Sequence, residues 1–181
     1  MRFVVRAVRD RAGAHAAMRA ELPANAEWVY DTTRNAMDTF FAALDLVGSS
    51  AAVHMEDDII LASNFEPRIM QAIAASPSSV IQFFSMRKAD RTIGTRLDRN
   101  FLMGQCFYLP PNYSAEVRAY HAGWKDRLRH PTGLDLLVGD FLRSRREQYW
   151  IVCPNLVDHV VGVSVIDARR SSKRQSKTFV K

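Results

Sequence analysis

Short apolar stretches alternate with amphipathic stretches along most of the chain. The first, residues 2–8 (RFVVRAV), is rich in β-branched residues and is typical of a strand. An alanine-rich segment with high helix propensity follows at 12–22. Similar pairs recur downstream, so the pattern predicts a single α/β domain with a mostly parallel central sheet flanked by helices.

The spacing of apolar residues and the positions of Gly and Pro set the limits of the predicted elements. In residues 33–48, apolar side chains recur every three or four positions and the run stops at Gly48, as in an amphipathic helix. Residues 87–100 have little apolar content, so a surface loop is expected there. The other predicted strands are 27–31, 51–55, 78–86, 104–111, 148–154 and 160–166, and the other predicted helices are 65–76, 113–127 and 134–146.

Length and composition restrict the class of protein. The chain has 181 residues, enough for one core, and its 48% hydrophobic and 24% charged residues are ordinary for a globular protein. No apolar run approaches the ~20 residues of a membrane-spanning helix, and charges interrupt residues 1–15, so a cytoplasmic protein is expected. Cys106 and Cys153 lie in apolar contexts without a CxxC partner and are expected to be reduced core residues.

The net charge of +6 is concentrated at the C-terminal end. Residues 168–181 carry six basic side chains and no acid, whereas residues 1–167 are close to neutral. We therefore expect a domain at 1–167 and a basic tail at 168–181. A solvated tail is the ordinary interpretation, and an anionic partner such as nucleic acid or a phosphorylated substrate is the alternative.

Three consecutive acids, Glu56, Asp57 and Asp58, interrupt an apolar run at the end of the third predicted strand. In open α/β sheets, ligands bind beyond the carboxyl ends of the strands. Clustered carboxylates repel each other there, so a positive partner is expected. Mg²⁺ or Mn²⁺ fits this role, because such a cation takes carboxylate, water and phosphate oxygens as ligands. The alternative is a set of loop acids that are solvated or paired with arginines.

The stretch VHMEDDIILASNF resembles the metal-binding motif region of glycosyltransferases with the GT-A fold, particularly the family 25 lipopolysaccharide-type enzymes. Three later stretches are similar to segments of that superfamily: LMGQCFYLPPNYSAEV to its donor loop, HPTGLDLLVGDFL to its acceptor-side helix, and VCPNLVDHVVGVSVI to a segment with a metal-binding histidine. The likeness covers residues 50–181. It implies a compact GT-A-like (Rossmann-like) domain that binds a nucleotide diphosphate sugar.

The resemblance assigns the three acids to a divalent cation and to the donor. Asp58 is the first choice as a direct metal ligand, and Glu56 or Asp57 would contact the metal through water or bind the donor ribose. His159 is implied as a further ligand through a neutral ring nitrogen, with a satisfied histidine at a strand edge as the alternative. His54 lies inside the strand and is expected to be a core residue or to contact the metal ligands without binding the metal itself.

Arginines after the first predicted strand and a glycine in the donor loop are implied in donor binding. GT-A enzymes bind the nucleotide after their first strand, where this chain has Arg6, Arg9 and Arg11. A planar guanidinium can bind two diphosphate oxygens at once. Gly104 stands at the donor-loop glycine. For each arginine, a charged surface loop is the alternative.

An aspartate of the acceptor-side helix is implied as the general base. An inverting sugar transfer needs a carboxylate within hydrogen-bond reach of the acceptor hydroxyl. Asp135 is expected at the helix N-terminus, where the helix dipole keeps it ionised, and Asp140 lies one or two turns on. We prefer Asp135, for which helix capping is the alternative.

The sequence therefore predicts a metal-dependent glycosyltransferase that uses Mn²⁺ or Mg²⁺. The chain resembles the reduced glycosyltransferases of bacteriophage genomes, which implies a hydroxymethylated base of phage DNA as acceptor, with a protein or a lipopolysaccharide sugar as the alternative. Arg170, Lys173 and Arg174 of the tail suit either a leaving diphosphate or a nucleic-acid acceptor. Two other function classes stay open: a non-catalytic nucleic-acid-binding protein on a transferase-like fold, and metal-dependent phosphoryl transfer or nuclease chemistry.

Overall fold

The structure is a computed structural model that describes residues 1–98, 100–161 and 174–181. Each predicted helix is present, and each predicted strand up to residue 154 overlaps an observed strand. The strands are β1 (Arg2–Val8), β2 (Glu27–Asp31), β3 (Ala52–Glu56), β4 (Ile59–Leu61), β5 (Ile81–Gln82), β6 (Gly94–Asp98), β7 (Cys106–Leu109), β8 (Tyr149–Cys153) and β9 (Val157–His159). The helices are α1 (Ala12–Glu21), α2 (Ala36–Val47), α3 (Phe65–Ala75), α4 (Tyr113–Tyr120) and α5 (Leu134–Ser144), with 3-10 turns at Arg9–Arg11 and His121–Gly123.

Within the described residues, one sheet of seven strands has the order β2-β1-β3-β7-β5-β8-β6. β1 pairs in parallel with β2 and β3, and β5 pairs in parallel with β8. β7 runs antiparallel between β3 and β5, and β6 runs antiparallel along β8. Five of these seven strands therefore point in one direction, which confirms the predicted α/β fold with a mostly parallel sheet.

Side chains that alternate along the central strands build a core on each face of the sheet. On one face, Val5 and Met55 pack with apolar residues of α1 and α3. On the other face, Phe107 and Leu109 pack with apolar residues of α2, α4 and α5. The helices thus flank the sheet on both sides and leave the strand ends open between them.

A separate two-stranded antiparallel ribbon, β4 with β9, lies next to the end of β3. Its register pairs Ile59 with His159. The amide of Val160 donates a hydrogen bond to the carbonyl of Asp58 at 2.9 Å. This ribbon brings His159, from late in the chain, beside the acids that follow β3.

Residues 94–98 differ most from the prediction. A surface loop is predicted there, but β6 forms and pairs with β8 over Gly94 to Asp98. β6 is an edge strand, which needs no continuous apolar pattern, and Leu97 stays 52% exposed. Backbone pairing holds this strand, so the sequence pattern gives little signal for it.

Three other predicted limits also change. The strand predicted at 78–86 is a strand only over Ile81–Gln82. The helix predicted to end at residue 127 ends at Tyr120, because a 3-10 turn with Gly123 follows and Trp124 takes an extended backbone conformation. The strand predicted at 160–166 lies outside the described residues from 162 onward. Among the helices described, none is long and apolar enough to cross a membrane.

Candidate active site

A pocket of about 330 Å³ opens at the carboxyl ends of β1, β2 and β3. Loops and helix starts converge at this edge in open α/β sheets. The first turns of α2 and α5 and the segment before β7 complete the walls. Its charged lining residues include Arg6, Arg11, Glu56, Asp58, Asp135 and Arg174.

Asp57 also reaches this pocket, but neighbouring groups engage its carboxylate. Its Oδ2 accepts a hydrogen bond from the Val8 amide at 2.9 Å and lies 2.8 Å from His15 Nε2. Its Oδ1 accepts from Arg11 Nη1 at 2.6 Å. The side chain is 3% exposed. Asp57 therefore fastens the β1–α1 connection to the end of β3, an arrangement that does not favour the ribose contact predicted for it.

Asp58, the next residue, has a different environment. Its Oδ2 lies 3.0 Å from Arg11 Nη1 and 3.3 Å from His159 Nε2. Its Oδ1 is buried and has no hydrogen-bond partner among the described residues. Burial alone would raise the pKa of Asp58, but the hydrogen bond from His159 and the charges of Arg11, His159 and Arg174 outweigh burial and lower this pKa. Asp58 is thus a carboxylate with one buried oxygen unused.

His159 presents unsatisfied hydrogen-bonding capacity next to Asp58. Its side chain is 4% exposed, and its Nδ1 has no partner in the described part of the chain. Its Nε2 also lies 3.1 Å from Arg174 Nη2, yet one ring nitrogen cannot donate to Asp58 and accept from an arginine at once. Burial lowers the pKa of His159, but the hydrogen bond and charge of Asp58 outweigh this effect and raise it.

Arg6 on β1 contacts both the end of β3 and the segment before β7 at the base of the pocket. β1 and β3 pair in a register that places Arg6 opposite Glu56, and Arg6 Nη2 lies 3.8 Å from Glu56 Oε1. The same nitrogen donates to the carbonyl of Gly104, and the guanidinium lies 5.3 Å from the ring centroid of Phe40. Burial lowers the pKa of Arg6, and burial also raises the pKa of Glu56 against the opposing charge of Arg6. Arg6 therefore positions the floor and neutralises Glu56.

The segment before β7 packs against the start of α5. Asp135 Oδ1 accepts from the Leu136 amide at 3.1 Å, and Oδ2 accepts from the Met103 amide at 3.3 Å. A β-carbon on Gly104 would overlap Leu134, so a glycine permits this close approach. Met103 has a φ of 74°, an uncommon conformation for a residue with a side chain, and such backbone strain clusters at functional sites. Asp135 lines the pocket and also joins its helix to this segment.

The described C-terminal residues also reach the pocket. Arg174 lines it, two residues before Ser176. The Ser176 amide donates to Asp158 Oδ1 at 2.7 Å, and the Ser176 hydroxyl donates to Asn155 Oδ1 at 2.7 Å. These two bonds fasten the segment beside β9 and place Arg174 next to His159.

Asp140, the second base candidate, is not among the pocket residues. Its Oδ2 accepts from Trp124 Nε1 at 2.8 Å, and its Oδ1 accepts from Arg143 Nε at 3.1 Å. Burial would raise the pKa of Asp140, but these two hydrogen bonds lower it. Of the two predicted bases, the structure brings only Asp135 to the pocket.

Arg9 is not among the pocket residues, and two other predicted basic residues lie in a part of the chain that the structure does not describe. Arg9 is exposed, and its guanidinium lies 5.2 Å from the ring centroid of Tyr30. Arg170 and Lys173 lie outside the described residues.

Two residues at or beside the pocket, His15 and Asp31, are not among those predicted from the sequence. Asp31 Oδ1 accepts from the Thr33 and Arg34 amides at 2.8 Å each and shapes the turn after β2 at the pocket wall. Its position at the end of a predicted strand beside β1 was a usable signal. His15 gave none, because its partner Asp57 lies 42 residues further along the chain.

The three predicted metal ligands are not assembled as one group. Among the described residues, no cluster of three or more His, Cys, Asp or Glu side chains is arranged to hold a metal ion. Glu56 faces Arg6 instead. The candidate ligand set is therefore the pair Asp58 and His159.

No protein-family model and no curated protein sequence matches the chain. Among solved structures, it is similar to a candidate glucose-1-phosphate thymidylyltransferase from Bacillus anthracis, determined in complex with a sucrose. The TM-score is 0.50 at 12% sequence identity, over 86% of this chain and 69% of that chain. At this identity the likeness shows the fold, and it agrees with the Rossmann-like α/β class predicted from the sequence. Neither membership of family 25 nor a phage origin follows from it.

Proposed function

We propose that the protein is a glycosyltransferase that takes a sugar from a nucleotide diphosphate sugar and passes it to an acceptor hydroxyl. The observation that carries the proposal is the pair Asp58 and His159, 3.3 Å apart and flanked by Arg11 and Arg174. An acid and imidazole pair beside two arginines suits a cation and a diphosphate. The pocket of about 330 Å³ is within the range of small-molecule sites.

Asp58 and His159 would hold a divalent cation, and the imidazole ligand favours Mn²⁺ over Mg²⁺, which prefers oxygen ligands. Two neighbouring ligands of an octahedral ion, each bonded at about 2.1 Å, lie about 3 Å apart, close to their observed separation of 3.3 Å. A cation at this spacing would bind Asp58 Oδ2 and His159 Nε2. The other polar atoms of the two side chains, Asp58 Oδ1 and His159 Nδ1, are buried and have no partners among the described residues. Water and diphosphate oxygens would complete the ligands. A cation there offsets the charge that develops on a leaving diphosphate.

Arg11 and Arg174 are the residues that we assign to the diphosphate. Both line the pocket on the side of the acids. Arg174 Nε is buried without a partner in the described part of the chain, so it has a donor to offer a ligand. Their guanidinium groups would bind phosphate oxygens and stabilise the charge of the leaving group.

Asp135 is the residue that we assign as general base. It enters the pocket from α5, whereas the residues assigned to the cation and the diphosphate come from other elements. In the proposed step, the acceptor oxygen bonds to the anomeric carbon while the bond from that carbon to the diphosphate oxygen breaks. Asp135 takes the hydroxyl proton, and the diphosphate leaves with the electron pair. This assignment corresponds to inversion at the anomeric carbon.

The acceptor that we propose first is a hydroxymethylated base in DNA, and a protein or lipopolysaccharide sugar is the second. The resemblance to phage-encoded enzymes supports DNA. Lys177 and Lys181 follow Arg174 in the tail and suit a polyanionic acceptor. Transfer to hydroxymethylated DNA, with unmodified DNA and lipopolysaccharide as comparison acceptors, tests the order of preference.

A thermal-shift screen of uridine, guanosine and thymidine diphosphate sugars, with and without Mn²⁺, tests donor binding. Wild type and Asp140→Asn are expected to be stabilised in a Mn²⁺-dependent way, and Asp58→Asn is expected to lose this response. Asp140 is a matched control, because it is an aspartate that does not line the pocket. Absence of stabilisation by every sugar nucleotide would contradict the proposal.

Other reactions give contrasting assays on the same samples. Nucleotidyl transfer, the activity named for the B. anthracis structure, is tested with a nucleoside triphosphate and a sugar 1-phosphate. Pyrophosphate release in that assay without sugar transfer would reassign the pocket. Hydrolysis of DNA would indicate nuclease chemistry, and salt-sensitive DNA binding that ignores Mn²⁺ and sugar nucleotides would indicate a non-catalytic binding protein.

A further inference from the structure

Arg11 holds two carboxylates with one nitrogen. Its Nη1 lies 2.6 Å from Asp57 Oδ1 and 3.0 Å from Asp58 Oδ2. The side chain is 22% exposed, so this bridge is partly shielded from solvent. The guanidinium therefore neutralises the same Asp58 oxygen that faces His159.

The Asp57 end of this bridge is fixed. The Val8 amide and His15 Nε2 hold the other oxygen of Asp57, at 2.9 and 2.8 Å. His15 is itself buried, and its ring centroid lies 5.0 Å from that of Trp28. Asp57 therefore acts as an anchor that keeps Arg11 at Asp58.

We infer that Arg11 is a built-in counter-ion that competes with the divalent cation for Asp58, an inference that rests on the cation site of the proposed function. Arg11 Nη1 and a cation both require the Asp58 Oδ2 lone pairs. Asp57 is a positioning residue in this arrangement, because it acts on the cation through Arg11.

A coupling between cation and diphosphate follows from this competition. A diphosphate offers Arg11 a new anionic partner, and Asp58 then becomes accessible to the cation. Cation alone therefore binds weakly, and the two ligands bind cooperatively through Arg11, since coupling is reciprocal. This order of binding would keep the metal site closed until the donor arrives.

Titration of the full-length protein with Mn²⁺ alone, followed by electron paramagnetic resonance, tests the competition directly. Arg11→Gln is expected to bind Mn²⁺ about fivefold or more tightly than wild type, a typical size for such coupling. Arg9→Gln is the matched control, because Arg9 lies two residues away, outside the pocket lining, and should leave Mn²⁺ affinity unchanged. Adding uridine, guanosine or thymidine diphosphate should tighten Mn²⁺ binding in wild type more than in Arg11→Gln.

The outcomes separate this inference from the proposed function. Equal or weaker Mn²⁺ binding in Arg11→Gln, with binding in wild type intact, overturns the counter-ion alone. No Mn²⁺ binding by either protein, with or without nucleotide, overturns both. If Arg11→Gln does not fold, Arg11→Lys, which keeps a charge without the planar fork, is compared with wild type, and unchanged Mn²⁺ affinity and unchanged nucleotide coupling overturn the inference. A double-mutant cycle of Arg11→Lys with Asp58→Asn, by urea unfolding in chelator, must also show coupling between the two positions.

Discussion

The acid segment Glu56–Asp58 and helix α5 each carry two aspartates that the sequence singles out, and the structure separates the members of each pair. Asp57 and Asp140 have both oxygens bonded to neighbouring groups. Asp58 keeps a buried oxygen without a partner among the described residues. Asp135 has both oxygens bonded to backbone amides, but unlike Asp140 it lines the pocket. The comparison teaches that an unused oxygen distinguishes Asp58 from Asp57, whereas access to the pocket distinguishes Asp135 from Asp140.

The largest effect is expected from Asp135→Asn. If Asp135 takes the acceptor proton, the amide removes the base, and the turnover number for sugar transfer falls by about 10²–10⁴-fold. Donor affinity should stay near that of wild type, because none of the residues assigned to the cation and the diphosphate lies on α5. Turnover and donor affinity are measured separately, with Asp140→Asn as the control on the same helix. An equal loss in both variants would erase the distinction within α5.

Asp58→Asn is expected to have the next largest effect, on binding. Loss of a direct cation ligand should weaken Mn²⁺-dependent binding of the sugar nucleotide by about 100-fold. A loss of this size is the upper end of what is seen when a residue that only hydrogen-bonds a metal ligand is changed. The free energy of unfolding should fall by less than in Asp57→Asn, because only one Asp58 oxygen is paired, with Arg11 and His159, and the other has no partner in the described part of the chain. Calorimetric titration and urea unfolding give the two quantities. Wild-type affinity in Asp58→Asn would exclude Asp58 as a ligand.

Asp57→Asn should show the opposite profile. This change leaves Arg11 and His15 beside a neutral amide, and removal of one partner of a buried ion pair destabilises a protein by about 3–5 kcal/mol; partial exposure of Arg11 places the expected loss near the lower limit. Urea unfolding at neutral pH measures it, with Asp140→Asn as a more exposed aspartate for comparison. Stability equal to wild type would mean that Asp57 does not anchor the β1–α1 connection.

Gly104→Ala tests the contact between the segment before β7 and the start of α5. The added β-carbon would overlap the Leu134 side chain, so this side chain must change its conformation or the segment must shift, at a cost of about 1–3 kcal/mol in unfolding free energy. Leu134→Ala creates space at the same point. The double variant should therefore be more stable than the sum of the two single losses predicts, and strict additivity would show that Gly104 serves something other than this contact.

The fold and the place of the site were predictable because their signals are local. Alternating strands and helices gave the layered architecture, and the acids after β3 gave the sheet edge at which the pocket opens. Gly104 and Asp135 entered as parts of motif-like stretches, and both contribute to the pocket wall. Each of these features can be read within a window of a few residues.

The partnerships within the site were not predictable in the same way. His15 and Asp57 meet across 42 residues, so no spacing pattern marks them. The division of Asp57 from Asp58 depends on which carboxylate the β1–α1 connection reaches, a result of tertiary packing. β6 was missed since an edge strand is held by backbone pairing and not by burial of an apolar face.

The smallest expected effect concerns His54, two residues before the acid segment on β3. Burial, and then the charge of Arg6, lower the pKa of His54 from 6.5 to about 3. Between these values the unfolded chain binds more protons than the folded chain, so the contribution of neutral His54 to stability is present above pH 6.5 and is lost as pH falls through this window. His54→Gln, which cannot titrate, should flatten the fall in unfolding free energy by up to about 1.4 kcal/mol per pH unit. Urea unfolding at pH 7, 6 and 5 measures the slope. An unchanged slope would show that other groups cause the loss of stability at low pH. It would also remove the contrast between the middle of β3, where burial disfavours a charged side chain, and the carboxyl end of β3, where charged side chains cluster.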